Sequence, residues 1–249
     1  MSGYSSNVIA FSNGFKALSV SAKVDVHIKQ VIDELELRQP DGLLLLVGDA
    51  GNMDQRFYDQ MQSVFNVIAN FVNENRLMVV DGGIDAGLVA VMGKALATNG
   101  RTAVHLGVTP AKAPMISEDK LAEEALEPHH SHFLLLDGFQ WQQTVPPKFQ
   151  IVNYFSLRAP VITLLINGED ISLQEIQACV RLGYKVIVFS GTGKLADEIA
   201  TAIRYPEKPR RPEIAELIPR GRFLVYNISS STAELKKLLS EQLIFEKHR

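Results

Sequence analysis

The sequence predicts an α/β fold with a doubly wound, mostly parallel sheet and helices on both faces. Short apolar runs alternate with segments of helical periodicity along most of the 249 residues, which is typical of repeated strand–helix units. Runs such as Leu43–Val47 and Val186–Phe189 are apolar at every position rather than at alternate positions. Strands with this pattern are covered on both faces, as in a parallel sheet.

Strands are predicted where β-branched and aliphatic runs lie between turn residues: Asn7–Phe11, Leu43–Gly48, Leu77–Asp81, Thr102–Val108, Phe133–Asp137, Val161–Asn167, Lys185–Ser190 and Arg222–Ile228. Helices are predicted between them: Asp25–Glu36, Asp54–Asn75, Ala86–Asn99, Pro147–Leu157, Ser172–Leu182, Lys194–Arg204 and Thr232–Gln242. Prolines and charges over Pro206–Pro219 predict an extended surface connector. We therefore expect one domain over residues 1–249, with a core at about 43–203 and a C-terminal strand and helix within 206–249.

The composition narrows the class of protein. The net charge of −3 gives no general attraction to nucleic acid or to an anionic membrane surface. Apolar runs fall short of the ~18–20 residues that span a bilayer, and the N-terminus lacks the pattern of a signal peptide. The single cysteine, Cys179, excludes an internal disulfide and is expected to be a small core residue. A cytoplasmic protein is expected.

Three predicted strands run into glycine-rich turns that precede helices. They lie within Leu46–Gly51, Val79–Gly93 and Val188–Lys194. Glycine permits positive φ and close approach of a ligand, and a helix N-terminus directs N–H groups and a positive dipole at a phosphate. Because ligands of doubly wound sheets bind beyond the carboxyl ends of strands, the three turns together predict a nucleotide-type pocket.

The common nucleotide fingerprints do not fit these turns. A P-loop requires a glycine where Val188 stands and a hydroxyl residue where Leu195 stands, and the glycines at 82, 83 and 87 have the wrong spacing for the dinucleotide motif. Gly191–Lys194 still combines flexible backbone, a hydroxyl and an ammonium group that suit a phosphate. The alternative is an ordinary turn with a solvated lysine.

Other residues near the turns have two possible roles each. The carboxylates of Asp49, Asp81 and Asp85 could accept hydrogen bonds from ribose hydroxyls or cap helices. Trp141 could stack on a base or cover an apolar edge.

A histidine cluster precedes the strand that begins at Phe133. His130 and His132 face one way in an extended segment and His129 the other, so a metal would need a remote carboxylate. No metal site is predicted. We expect the imidazoles to bond to a phosphate, a ribose or the loop itself.

Four segments in order, Val47–Ala50, Gly82–Gly87, Pro128–Asp137 and Ser190–Asp197, resemble the SLOG superfamily, in the branch of prokaryotic proteins similar to the N-terminal cytosolic domain of TRPM channels. The resemblance implies a Rossmann-like fold that senses or processes nucleotide-derived ligands. In TRPM-like members an aromatic residue and two arginines hold an ADP-ribose-type ligand. Those positions fall on Trp141, Lys148 and Lys194, so the charges are kept while the bidentate arginine fork is lost.

Enzymatic relatives in the superfamily cleave a nucleoside monophosphate and carry the marker Pro-Gly-Gly-x-Gly-Thr-x-x-Glu. The matching stretch here, Asn167–Glu175, keeps the glutamate as Glu175 but has Glu169 and Ile171 in place of two glycines. Isoleucine disfavours positive φ, and the acid repels a phosphate. We therefore expect Glu175 to be an exposed helix residue.

The predicted function is a sensor that binds ADP-ribose or a related nucleotide-derived signal. The alternatives are a nucleotide N-glycosidase or phosphoribohydrolase related to the lysine-decarboxylase-like enzymes, using Glu175, and a non-catalytic scaffold. No cofactor, metal, nucleic acid or membrane insertion is expected, and a homodimer is expected by analogy. The predicted ligand contacts are Gly48, Asp49, Ala50, Gly82, Gly83, Asp85, Gly87, His130, His132, Trp141, Lys148, Gly191, Thr192, Gly193 and Lys194.

Overall fold

The computed structural model describes residues 4–49, 55–100, 102–112, 126–138, 140–208 and 211–243. The strands there are β1 Tyr4–Ala10, β2 Lys16–Ala22, β3 Gly42–Asp49, β4 Leu77–Asp81, β5 His105–Pro110, β6 His132–Leu136, β7 Val161–Asn167, β8 Lys185–Ser190 and β9 Arg222–Asn227. The helices are α1 Ile28–Glu34, α2 Gln55–Glu74, α3 Gly87–Thr98, α4 Val145–Ser156, α5 Asp170–Arg181, α6 Lys194–Arg204, α7 Pro212–Leu217 and α8 Thr232–Gln242. No helix in these ranges is long and apolar enough to cross a membrane.

The nine strands form one sheet in the order β1-β2-β6-β5-β4-β3-β7-β8-β9. Neighbouring strands are parallel throughout, except at the edge, where β1 pairs antiparallel with β2. This confirms the predicted α/β class with a mostly parallel sheet. The strands between the edges are buried, and β4 and β5 are buried at every position.

The direction of strand addition reverses at β3. From β3 the chain continues through β4, β5 and β6 on one side, and then returns to place β7 on the other side. Such a reversal leaves a crevice beyond the carboxyl ends of the two strands, because the connections that follow them run to opposite sides. The crevice here lies beyond Asp49 of β3 and Asn167 of β7, which are register partners.

Helices cover both faces of the sheet. On one face Val31 of α1, Ile151 of α4 and Ile176 of α5 belong to a core that also includes residues of α6 and α7. On the other face α2, α3 and α8 pack on a second core, represented by Phe65 and Met92. Alternate residues of β3 belong to the two cores, which explains why that strand is apolar at every position.

Two elements differ from the sequence predictions. The prediction missed β2, whose small and polar residues, such as Ser19 and Ser21, give a weak strand signal. The prediction of an extended connector is wrong over α7. Proline suits the first turn of a helix, and Ile214 and Leu217 turn their side chains into the core.

Gly48 offers a direct test of the close approach of β3 and β7. A Cβ atom at Gly48, where φ is 151°, would lie 2.0 Å from the backbone oxygen of Ile166. We expect Gly48→Ala to lower the free energy of unfolding by about 2–3 kcal/mol. The control is Gly100→Ala, where φ is also positive but nothing lies within 4 Å, so only backbone strain of about 1 kcal/mol is expected. Equal losses in urea unfolding would contradict the proposed clash.

Candidate functional site

The structure brings the end of β3 and the glycine turns after β4 and β8 to one edge of the sheet. Gly48 lies at the end of β3, and the turn after β4 begins at Gly82. Asn167 ends β7, and the turn after β8 begins at Gly191. These strands are adjacent in the order β4-β3-β7-β8. Asp49 is the last residue of β3, and the predicted contact Ala50 lies outside the described residues.

Trp141 lies at the β4 side of this edge. It begins a 3-10 turn, Trp141–Thr144, that leads into α4. A Cβ atom at Gly82 would lie 3.4 Å from Cζ3 of the indole, so the ring packs against this glycine. Trp141 is only partly buried, so part of the indole remains accessible.

The turn between β4 and α3 places backbone donors at the same edge. Gly83 and Gly87 have φ of 73° and 51°, and α3 begins at Gly87 with no side-chain cap at Ala86 and no acid in its first turn. The N–H groups in the first turn of α3 therefore have no competing side-chain acceptor at the cap position, as an anion site requires. Burial and the Glu127 charge raise the pKa of Asp85 beside this turn.

At the β8 turn, internal groups occupy the predicted phosphate donors. The Asp197 carboxylate accepts hydrogen bonds from the N–H groups of Gly191 and of Gly193, the latter at 2.9 Å. Lys194 forms an exposed ion pair with Glu169. A phosphate that binds at this turn must displace both carboxylates.

Thr192 has a structural role in the same turn. Its hydroxyl donates to Phe189 O and accepts from the N–H of Asn167, and the residue is buried. The hydroxyl therefore joins the ends of β7 and β8.

Lys148 and Glu175 form an ion pair between α4 and α5. The Nζ–Oε1 distance is 2.6 Å, and both residues are buried. The expectation that Glu175 is exposed is wrong, because this face of α5 packs on the sheet beside α4. Lys148 stands where the TRPM-like members have an arginine, and Glu175 stands where the enzymatic relatives have their marker glutamate. The two side chains contact each other here.

The histidine segment lies at the amino end of β6, and His132 is the first residue of that strand. His130 is fully buried. Its Nε2 contacts Asp81 Oδ1 at 2.9 Å and its Nδ1 contacts Glu127 Oε2 at 2.8 Å. Asp81 also contacts His105 Nε2 at 2.7 Å, and Glu127 binds the backbone N–H and the ring of His129. We call Asp81, His105, Glu127, His129 and His130 the buried polar cluster.

Charge pairing in the buried polar cluster sets its ionisation. The Asp81 and Glu127 carboxylates overcome the effect of burial and raise the pKa of His130 to about 9. The histidines lower the pKa of Asp81 and of Glu127 in return, again against the effect of burial. Burial lowers the pKa of His105, helped by the His130 charge. His130 is therefore an imidazolium held between two carboxylates, beside a neutral His105.

A metal is poorly suited to this cluster. Asp81, His105 and His130 have potential ligand atoms within 4.8 Å of one another. The two imidazole rings, however, stack with centroids 3.4 Å apart and an interplanar angle of 25°. The nitrogen lone pairs lie in the ring planes and so cannot converge tetrahedrally on one ion. The geometry is that of a hydrogen-bond network.

The raised pKa of His130 makes stability depend on pH. The proton stabilises the folded state fully below the unfolded pKa of about 6.5, and this contribution is lost as the pH rises through about 9. We expect a loss of up to about 3 kcal/mol across that window. Urea unfolding from pH 6 to 10 measures it, and His130→Gln should lack this component. Identical pH profiles for the two proteins would contradict the assignment.

With this geometry established, comparison with known proteins places the chain. A protein-family model described as SLOG in TRPM, prokaryote, matches residues 41–238. The chain belongs to this family. The match extends beyond the predicted core and includes α7, β9 and most of α8. No curated protein matches the chain.

The fold of this SLOG protein is similar to that of a solved structure. The crystal structure of TM1055, a structural genomics target, aligns with a TM-score of 0.53 and 16% sequence identity. The alignment covers 80% of this chain and 99% of that one. At this identity the likeness shows the shared fold.

Three residues that support the site were missed in the sequence. Glu127 pairs with His129 and His130, its near neighbours in sequence, and His105 pairs with Asp81 of the adjacent strand. Gly93 lies inside α3, where a Cβ atom would be 2.2 Å from the Glu127 carboxyl carbon. A glycine in a helix interior is unfavourable by itself, and this was the signal available for Gly93.

Proposed function

We propose that this SLOG protein binds a nucleotide-derived ligand of the ADP-ribose type beyond the carboxyl ends of β3, β4, β7 and β8, and acts as a sensor of that ligand. The observation that carries the proposal is the strand-order reversal at β3 and β7, with Gly48 at the end of β3 and glycine turns after β4 and β8. Crevices at such reversals are the usual ligand sites of doubly wound sheets.

The chemistry of the crevice suits the parts of such a ligand. The first turn of α3 offers backbone N–H groups and a positive dipole to a phosphate. The exposed part of Trp141 offers a surface for a base to stack on. Lys148 lies in α4, just after the Trp141–Thr144 turn, and its ammonium is neutralised by Glu175, so we assign it a supporting role.

The first experiment is a thermal-shift screen with ADP-ribose, cyclic ADP-ribose, NAD, AMP and ATP, followed by chromatography of each mixture. A ligand present at 100 times its Kd stabilises the protein by about 2.7 kcal/mol. We expect a clear rise in Tm with ADP-ribose and recovery of the intact nucleotide. Unchanged Tm across the panel would refute the sensor. Gel filtration with and without ADP-ribose tests whether the signal is passed on through a homodimer.

Lys194 and Glu169 provide a matched pair of variants. We expect Lys194→Ala to weaken ADP-ribose binding by about 1–3 kcal/mol, and more so at low salt. Glu169→Gln should strengthen binding, because it removes the carboxylate that competes for the lysine. Titration calorimetry at two salt concentrations measures both effects. Unchanged affinity in both variants would remove this side of the crevice from the site.

A phosphoribohydrolase is the second candidate function, and the Lys148–Glu175 pair favours it. A buried carboxylate held at 2.6 Å from an ammonium group has the fixed position that a general acid or base needs. Release of free base from AMP in the same chromatography would support an enzyme. Turnover that persists unchanged in Glu175→Gln would exclude this glutamate from the reaction.

A further inference from the structure

The buried polar cluster holds the β4–α3 turn through both backbone polar groups of Gly83. The N–H of Gly83 donates to Asp81 Oδ1 at 2.8 Å. The carbonyl oxygen of Gly83 accepts from the N–H of Glu127 at 2.9 Å. His130 links Asp81 and Glu127, since its two ring nitrogens contact their carboxylates. The turn that leads into the donors at the start of α3 is therefore fixed by buried carboxylate residues.

The same cluster determines how closely α3 approaches the sheet. The Glu127 carboxyl group lies where a side chain at Gly93 would be, since a Cβ atom there would be 2.2 Å from its carbon and 2.3 Å from each oxygen. The missing side chain lets α3 lie directly on Glu127. Because α3 begins at Gly87, the position of its N-terminus follows from this contact.

We propose that His130 is a positioning residue for the ligand site, and that the proton it carries keeps the β4–α3 turn and the start of α3 in the binding geometry. The inference rests on the proposed function, and it adds regulation of that site by pH. No other group in the structure joins both residues that hold Gly83 within the described ranges.

The proton matters because each ring nitrogen of His130 faces a carboxylate oxygen, so both nitrogens must be hydrogen-bond donors. As an imidazolium, His130 donates to Asp81 and to Glu127 at once. When the proton leaves to solvent, one nitrogen presents a lone pair to a carboxylate oxygen, and that contact becomes repulsive. The titratable groups around it are Asp81 of β4, His105 of β5, Glu127 and His129 before β6, and, at the turn and on α3, Asp85 and Lys94.

The Glu127→Gln substitution tests whether the site needs the extra proton on His130 or only a complete set of hydrogen bonds around its ring. In Glu127→Gln the amide can donate to Nδ1 of a neutral His130, whose Nε2–H still donates to Asp81. The network then needs no imidazolium. This variant loses the acceptor for the His129 N–H, so its affinity should be lower but independent of the ionisation of His130.

The experiment measures ADP-ribose affinity from pH 7 to 10 for the unaltered protein, His130→Gln and Glu127→Gln, with exposed His27→Gln as control. With a His130 pKa of about 9, affinity should fall about tenfold at pH 10. His27→Gln should match the unaltered protein. His130→Gln and Glu127→Gln should bind more weakly at pH 7 and vary less than about twofold, since other titrations are common to all four proteins.

A second readout keeps this inference separate from the proposed function. Protection of the Gly83 amide from hydrogen exchange reports its bond to Asp81 without any ligand, and it should fall in the same pH window and in His130→Gln. Gly83 protection could fall at high pH and in His130→Gln as expected while ADP-ribose does not bind at any pH. That result would exclude ADP-ribose as the ligand and leave the positioning role of His130 intact. Binding with the same pH profile in all four proteins, or Gly83 protection unaffected by His130→Gln, would overturn the inference.

Discussion

We expect His130→Ala to lower the free energy of unfolding by about 4–5 kcal/mol at pH 7. The substitution removes the cation between two fully buried carboxylates, Asp81 and Glu127. Breaking a buried ion pair by removing one partner typically costs about 3–5 kcal/mol, because an uncompensated charge stays behind. Here two charges stay behind, and the lost imidazole leaves a cavity beside Phe133, which stacks on it at 5.0 Å. The upper end of the range is therefore appropriate.

Urea unfolding at pH 7 measures this loss. The control is His27→Ala, an exposed histidine before α1, for which a change within about 0.5 kcal/mol is expected. The loss in His130→Ala should also shrink toward pH 10, where the unaltered protein has itself lost the proton. A loss below about 1 kcal/mol at pH 7 would show that the carboxylates are not held by this imidazolium.

We expect Lys148→Met to lower the free energy of unfolding by about 3–4 kcal/mol. The methionine fills most of the space of the lysine chain, so the cost comes from Glu175, which is left buried without its cation. The thiol of Cys179 lies on the same helix and has its pKa raised to about 12, chiefly by burial. The surroundings therefore offer the stranded carboxylate little solvation.

The double variant Lys148→Met with Glu175→Leu tests this explanation. Replacement of both charges by apolar groups of similar volume is often neutral for stability, so the double variant should recover most of the loss. The exposed pair Lys29–Asp33 is the control, and Lys29→Met should leave stability nearly unchanged. A double variant as unstable as Lys148→Met alone would show that packing, not charge, causes the loss. If the double variant is stable and binds ADP-ribose normally, the pair is dispensable for recognition.

The fold was predictable because burial on both faces leaves a local signal. Apolar runs such as Leu43–Val47 have few stable alternatives to a covered strand, and the helices between strands follow from periodicity. The edge elements carried less information. Strand β2 becomes a strand by pairing with β6, as in the register of Leu18 with His132, and the buried residues of α7 are too few to create a periodic pattern.

The candidate site was predictable in part for the same reason. The glycine turns follow from local sequence, and the parallel sheet brings them to one edge. The pairing of His130 with Asp81 was not predictable, since the two meet only through the offset between β4, β5 and β6. Glu127 lies three residues before His130 and was overlooked. The exposure of Glu175 was misjudged because the amphipathic pattern of α5 does not reveal which neighbour supplies a cation. Asp197 lies in the first turn of α6, four to six residues from the donors of the β8 turn, and this local signal was missed.

The strand order has a consequence for the order in which the chain can fold during synthesis. The β1–β2 hairpin is made well before its sheet partner β6, and β3 is likewise made before β7, its partner on one side. Contacts between segments far apart in sequence form slowly, so the hairpin must remain without its sheet partner while the central strands are made. Strand β1 contains no charged residue and has few features that prevent it from pairing with another chain in that interval. Aggregation of nascent or refolding protein should therefore begin at this hairpin.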